Sequence, residues 1–165
     1  MSAGLTVLVA GAGGYVGGEV LRLLLQHPHV AKVTAHSRSQ EHKAIADVHP
    51  TLAPLSEARF VGGELADLVG DFDVVMMALE HGESSKLMAA LWAKKPALLI
   101  DLAADFRIGD PALYARFYGP HDAPALLPQF RYGLCDVEGP SLRGAQAIAA
   151  PGCFATAAQL ALYPL

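Results

Sequence analysis

Residues 5–25 read LTVLVAGAGGYVGGEVLRLLL, and the rest of the chain is read outward from them. Leu5 to Ala10 is a short apolar run of strand length. Glycines follow at Gly11, Gly13, Gly14, Gly17 and Gly18. Val16, Val20 and Leu24 then form one stripe at helical spacing, with Leu21 and Leu25 beside it. Glu19, Arg22 and Gln26 fall on the opposite face, so the pattern predicts a helix buried along one side. A strand, a glycine turn and a helix together form the context for phosphate binding. Backbone N–H groups at a helix start lack intrahelical partners, and the dipole there is positive. A pyrophosphate fills that vacancy when no Cβ blocks its approach. The spacing departs from G-x-G-x-x-G, because Val16 stands in the last slot; Gly11, Gly14 and Gly17 fit G-x-x-G-x-x-G. A tight turn without ligand carries the same glycines, but the flanking strand and helix favour a dinucleotide.

The chain has 165 residues, enough for one domain, or for one domain and the start of another. Hydrophobic residues make up 53% and charged residues 17%, a composition that builds a core and argues against disorder. A net charge of -4 excludes a general nucleic-acid binder, which needs a basic surface to displace counterions. Cys135 and Cys153 have no metal-type spacing, so no metal site is expected. Scattered cysteines, no membrane-length apolar run and no signal-peptide pattern point to the cytoplasm and to no membrane partner.

After the first helix, Val30 to Ala35 reads as a second strand. An acidic residue at its end would bind the ribose 2′-hydroxyl of NAD. This chain has His36-Ser37-Arg38-Ser39 instead, and a cation with hydroxyls suits a 2′-phosphate, so NADP(H) is the expected cofactor. A solvated loop cation is the plainer reading of Arg38. Residues 40–57 read as a long surface connection whose histidines are structural or exposed. Arg59 to Gly62 reads as a short third strand and Glu64 to Val69 as a helical turn.

Asp73 to Leu79 is a continuous apolar run that suits a strand buried on both faces. Glu80-His81-Gly82 follows at its carboxyl end, where open α/β sheets bind ligands. The expected cofactor contacts are Gly11, Gly13, Gly14, Tyr15, Val16 and Gly17 in the turn, Ser37 and Arg38 after the second strand, and Leu79, His81 and Gly82 here. Ser84 or Ser85 is a candidate cap for the next helix, which Lys94, Lys95 and Pro96 end. Ala97 to Ile100 reads as a strand, Asp110 to Tyr118 as a helix, and Arg131 to Leu134 as a short extended piece. Ala145 to Ala150 reads as the last strand and Phe154 to Tyr163 as the last helix. Alternating strands and helices indicate an α/β, Rossmann-type, doubly wound parallel sheet.

Cys153 sits at a second strand–turn–helix, where a helix dipole favours the nucleophilic thiolate and small Gly152 leaves it approachable. The plainer reading is a buried cysteine acting as a small hydrophobe. Cys135 has no such setting. Arg107, in the loop 101–107, suits bidentate capture of a carboxylate or phosphate, or an ion pair with Asp101 or Asp105.

GAGGYVGGEVLRLL, His49-Pro50-Thr51-Leu52, ALEHGESS, IDLAADFR, Tyr132-Gly133-Leu134 and APGCFATAAQLALYPL follow one another along nearly the whole chain. In that order they resemble the N-acetyl-gamma-glutamyl-phosphate reductases of arginine biosynthesis. The related aspartate-semialdehyde dehydrogenases share only the general plan. Departures are Glu80 and Cys135 where the family usually has proline, Ala103 where serine is usual, and Ala150 where asparagine is common.

The resemblance implies a Rossmann-like, NADP-binding domain over residues 1–150. Residues 151–165 become the catalytic-cysteine turn and helix, leading towards a second catalytic and dimerisation domain absent from this chain. It implies Cys153 as nucleophile, Arg107 and Gly152 as substrate contacts, a small anionic acyl phosphate as substrate, and a homo-oligomer at full length. The family's catalytic histidine matches none of the histidines here. A lysine-pathway homologue acting on N-acetyl-aminoadipyl phosphate, or a nucleotide-binding module without turnover, are the alternatives.

Overall fold

The computed structural model describes residues 4–164. The strands are β1 (Leu5–Ala10), β2 (Val30–His36), β3 (Val74–Met77), β4 (Leu99–Asp101), β5 (Phe130–Tyr132) and β6 (Ala147–Ala149). The α-helices are α1 (Tyr15–Leu24), α2 (Ile45–Val48), α3 (Leu65–Leu68), α4 (Glu83–Ala93), α5 (Pro111–Tyr118), α6 (Cys135–Glu138) and α7 (Cys153–Leu162). The strands form one sheet in the order β2-β1-β3-β4-β6-β5, with every pairing parallel. This is the doubly wound arrangement that the alternating pattern predicts. The chain crosses one way from β1 to β2 and the other way to β3. A crevice therefore opens at the carboxyl ends of β1 and β3, the switch point where such sheets bind ligands.

Alternation along β1 sends its side chains into two cores. Val7 and Val9 meet Leu21 of α1, with Ala35, Ile45, Leu52 and Phe60. Leu8 and Ala10 meet Val75 and Met77 of β3, with Met88 and Leu91 of α4. Leu21 is wholly buried, which contributes roughly 1.5–3 kcal/mol by removal from water. At the other end of the strand, Asp73 Oδ2 accepts the N–H of Thr6 at 2.7 Å and its hydroxyl at 2.8 Å, holding β1 beside β3.

Several expectations change. Arg59 to Gly62 is no strand: Val61 makes one isolated bridge to His36 and Arg59 one to Ala44, before Gly62-Gly63 breaks the pairing. β3 is fully buried on one face only, because Val74 and Met76 are partly exposed. The connection 40–57 is less loose than its polarity implies. It holds α2 and a 3-10 turn, and it buries Ile45 and Leu52. The short extended piece expected over Arg131 to Leu134 is the edge strand β5, Phe130 to Tyr132, while β6, the last strand in chain order as expected, lies inside the sheet beside it. Among the described residues, no helix is long and apolar enough to cross a membrane.

Candidate active site

The glycine turn after β1 closes against the turn after β3. Gly11 has φ +74°, and a Cβ there would strike the carbonyl of Ala78. Gly17 lies against β1's exit, where a Cβ would come within 2.6 Å of Ala12 Cα. Glycine is therefore required at one position for conformation and at the other for close helix–strand packing. Gly14 caps α1 without a side-chain hydrogen bond, and the first turn contains no acidic residue. The first N–H groups of such a helix have no intrahelical partner, the arrangement that suits an anion. The groove there has a volume of about 560 Å³ and is lined by Gly14, Tyr15, Val16, Leu79, His81 and Leu102, among others.

The other long helices show how selective that opening is. Gly82 caps α4 with φ +83°, and Asp105 fills the helix end. Its carboxylate accepts from Gly82 N–H at 2.9 and 3.1 Å and from Ser85 N–H at 3.1 Å. Ser84 and Ser85 are thus not the caps. Ser84 Oγ instead donates to Asp101 Oδ2 at 2.8 Å. α5 is capped by Asp110, whose side chain accepts from Ala112 and Leu113. α7, like α1, is capped by a glycine, Gly152, with no side-chain hydrogen bond and no acid in its first turn. Among the described residues, of the four helices of eight residues or more, only α1 and α7 keep their starts free of a carboxylate.

Cys153 is the first residue of α7 and is exposed, so it is not a core cysteine. Cys135 is also exposed, on the four-residue α6, with Sγ 3.7 Å from the carbonyl of Gly133. The sheet is parallel, so α1 and α7 both start at its carboxyl rim. Three strand steps of about 4.8 Å separate β1 from β6, or about 14 Å along the rim.

Arg107 forms neither of the ion pairs considered from sequence. Its Nε donates to the carbonyl of Ala150 at 2.7 Å and an Nη2 hydrogen to that of Leu102 at 2.7 Å. The guanidinium fastens the loop after β4 to the turn before Cys153. A Cβ on Gly152 would stand 3.0 Å from Nη1, so Gly152 leaves that nitrogen its space. Asp101, the last residue of β4, precedes the same loop and is wholly buried. Burial raises its pKa from 3.8 to about 6, against the hydrogen bonds from Ser84 and Ala103.

His81 Nδ1 accepts the N–H of Ala104 at 2.9 Å, which assigns the ring proton of the neutral side chain to Nε2. Ser37, Arg38 and Ser39 border a second cavity with Gly11, Leu79 and Glu80, at the end of β2. Ser37 is buried beside Gly13, and Arg38 is exposed. Gly82 donates its N–H to Asp105 at the α4 start. His49 supports the turn from below, with Nε2 2.8 Å from the carbonyl of Ala12. Asp105 and Asp101 escaped sequence reasoning as site-shaping groups, because their partners lie 23 and 17 residues away. Among the described residues, no group of three or more His, Cys, Asp or Glu forms a metal site.

A doubly wound parallel sheet with a glycine turn at its switch point defines a dinucleotide-binding domain. The chain belongs to the family described as "Semialdehyde dehydrogenase, NAD binding domain", whose profile matches residues 6–141. It is 43% identical over 164 residues to the N-acetyl-gamma-glutamyl-phosphate reductase of Acidothermus cellulolyticus, covering 98% of this chain and 46% of that one. It is 42% identical over 161 residues to the [LysW]-L-2-aminoadipate 6-phosphate reductase of Deinococcus radiodurans, covering 97% and 45%. The resemblance read from the motifs is thus borne out, and the chain spans about half the length of these relatives. Aspartate semialdehyde dehydrogenase II from Vibrio cholerae shares the fold, with a TM-score of 0.69 at 16% identity, over 99% of this chain and 42% of that one.

Proposed function

We propose that this chain is the cofactor-binding and thiol-bearing portion of an NADP-dependent acyl-phosphate reductase, acting on N-acetyl-γ-glutamyl phosphate in arginine biosynthesis. The observation that carries this reading is the pairing of open helix starts. α1 begins beside the crevice, α7 begins with exposed Cys153, and the intervening α4 start is closed by Asp105. The glycine cradle fits a dinucleotide, since Gly11 and Gly17 admit no Cβ and the first turn is free of acid. Gly11, Gly13, Gly14, Tyr15, Val16 and Gly17 would hold the pyrophosphate; Ser37 and Arg38 the 2′-phosphate; and Leu79 and His81 the nicotinamide side of the groove. The bound dinucleotide supplies a hydride.

The chain's own residues do the rest. The Cys153 thiolate attacks the acyl carbon, the C–O bond to phosphate breaks, and inorganic phosphate leaves with the bonding pair. The product is a thioester on Sγ. Once its carbonyl carbon has received hydride, the C–S bond breaks and the semialdehyde departs. The α7 start stabilises the leaving thiolate. Arg107 keeps the turn 150–153 in place and presents Nη1 beside Gly152 to the anionic substrate.

Residues 151–165 are proposed as the exit from the dinucleotide-binding domain. None of the α7 residues is buried, whereas β6 before it is buried at Ala147 and Ala149. The exposed Phe154, Leu162 and Tyr163 fit a homo-oligomer or a following domain as the cover of that face. A cytoplasmic setting suits such a biosynthetic step.

A second reading, an aminoadipate-type phosphate substrate, is favoured by the aminoadipate phosphate reductase relative at 42% identity. One methylene separates such substrates, and an apolar pocket distinguishes that by only ~1–3 kcal/mol. The test is an assay in the reverse direction with semialdehyde, phosphate and NADP, beside a titration with NADPH. Phosphate-dependent NADPH formation that vanishes in Cys153→Ser supports the reductase. Tight NADPH binding without turnover marks a binding module, and no binding refutes both.

A further inference from the structure

His36 is the last residue of β2 and is 6% exposed. Its Nε2 lies 3.0 Å from the carbonyl oxygen of Gly63. A carbonyl only accepts, so Nε2 carries the hydrogen and Nδ1 of the neutral ring is an acceptor. That Nδ1 is buried and has no hydrogen-bond partner, alone among the buried side-chain N and O atoms of the described residues. Buried polar atoms are nearly always paired, so an orphan acceptor points to a donor that arrives from outside the chain.

Two cavities share His36, Arg38, Leu79 and Leu87. One carries Ser37 and Ser39 and opens towards Gly11. The other runs between α3 and α4 and is lined by Leu65, Ala66, Ala90 and Leu91. Its apolar walls suit a flat ring, while the hydroxyl-lined cavity suits a sugar phosphate. Exposed Arg38 and Glu64 border the apolar cavity.

We infer that His36 reads the purine of the cofactor: its Nδ1 accepts a hydrogen bond from the 6-amino group of adenine, with the ring laid against Leu79 and Leu87. This rests on the dinucleotide reading above and adds a specificity-determining residue to it. A phosphate does not partner the neutral ring, because an ionised phosphate offers acceptors, not donors. The ribose hydroxyls are better placed for Ser37, Arg38 and Ser39 in the more polar cavity. Adenine alone combines a donor with an apolar ring at the adenosine end.

The probe is the hypoxanthine analogue of NADPH, in which a carbonyl oxygen replaces the amino group and meets Nδ1 acceptor to acceptor. Fluorescence titration of the chain is expected to give at least tenfold weaker binding for the analogue than for NADPH. In His36→Phe the two are expected to bind alike, with the loss confined to NADPH. Equal affinities in the unsubstituted chain overturn the inference while leaving the dinucleotide reading intact. A ratio unchanged in His36→Phe also overturns it. Failure of NADPH itself to bind removes the dinucleotide reading and this inference together. Should His36→Phe not fold, the ratio in the unsubstituted chain still decides.

Discussion

Arg107 and Ala150 are joined by a hydrogen bond of 2.7 Å from Nε to the backbone carbonyl, three residues before Cys153. With the bond to Leu102, it uses two nitrogens of the guanidinium to hold the loop after β4 against the loop after β6. Arg107→Ala leaves two partly buried carbonyls unsatisfied and is expected to cost ~1–3 kcal/mol in urea unfolding. Arg107→Lys should recover only part of that, because a single ammonium lacks the planar fork. Unaltered midpoints in both variants contradict this role.

Asp101 gives the fold a pH signature. Its folded pKa is raised to about 6 from 3.8, chiefly by burial, so the folded state holds the proton more tightly than the unfolded chain. The stability it contributes is full below pH ~4 and is lost as pH rises through about 6, a swing on the order of 3 kcal/mol. Asp101→Asn removes the titration. Urea melts between pH 4 and 7 should show the unsubstituted chain losing stability relative to Asp101→Asn over that window. Parallel curves would show that the carboxyl is not held as described.

Arg38 is exposed at the mouth of the cavity beyond β2, and Glu80 and Glu83 line the same cavity. Those carboxylates work against a 2′-phosphate, so the preference rests on Arg38 with Ser37 and Ser39. NADPH is expected to bind more tightly than NADH by about tenfold or more, the worth of a charge-assisted hydrogen bond of ~1.5 kcal/mol. Arg38→Asp should narrow or reverse the ratio. Equal affinities in the unsubstituted chain remove the argument for NADP.

The cysteines differ in setting rather than exposure. Cys153 opens the ten-residue α7, whereas Cys135 opens the four-residue α6 and points its sulfur towards Gly133. Iodoacetamide near neutral pH is expected to label Cys153 first, read by mass spectrometry of a short time course. Faster labelling of Cys135 would remove the activated thiolate.

The parts legible in the sequence were those written in short-range pattern. The glycine turn between β1 and α1 announced itself through spacing and periodicity, and Pro96 marked the end of the α4 region. Asp110 before Pro111 is a local cap, so the start of α5 is written in adjacent residues. What escaped was written between distant segments. Asp105 closes the α4 start from across the rim, so the nearby serines looked like caps. Arg107 satisfies carbonyls rather than carboxylates, which no spacing of acids around it reveals. Val61 follows β2 for a single bridge, so its apolar neighbours resembled a strand that Gly62-Gly63 cuts short. The order β4-β6-β5 follows from how the strands pair, which a list of strands leaves open.

The convergence of α1 and α7 on one rim is tested most directly by shielding. The rate of Cys153 alkylation is measured with and without saturating NADPH, with Cys135 as the internal reference. NADPH is expected to slow labelling of Cys153 severalfold and leave Cys135 unchanged. Equal rates at Cys153 with demonstrably bound NADPH would mean that the coenzyme and the sulfur do not share a site.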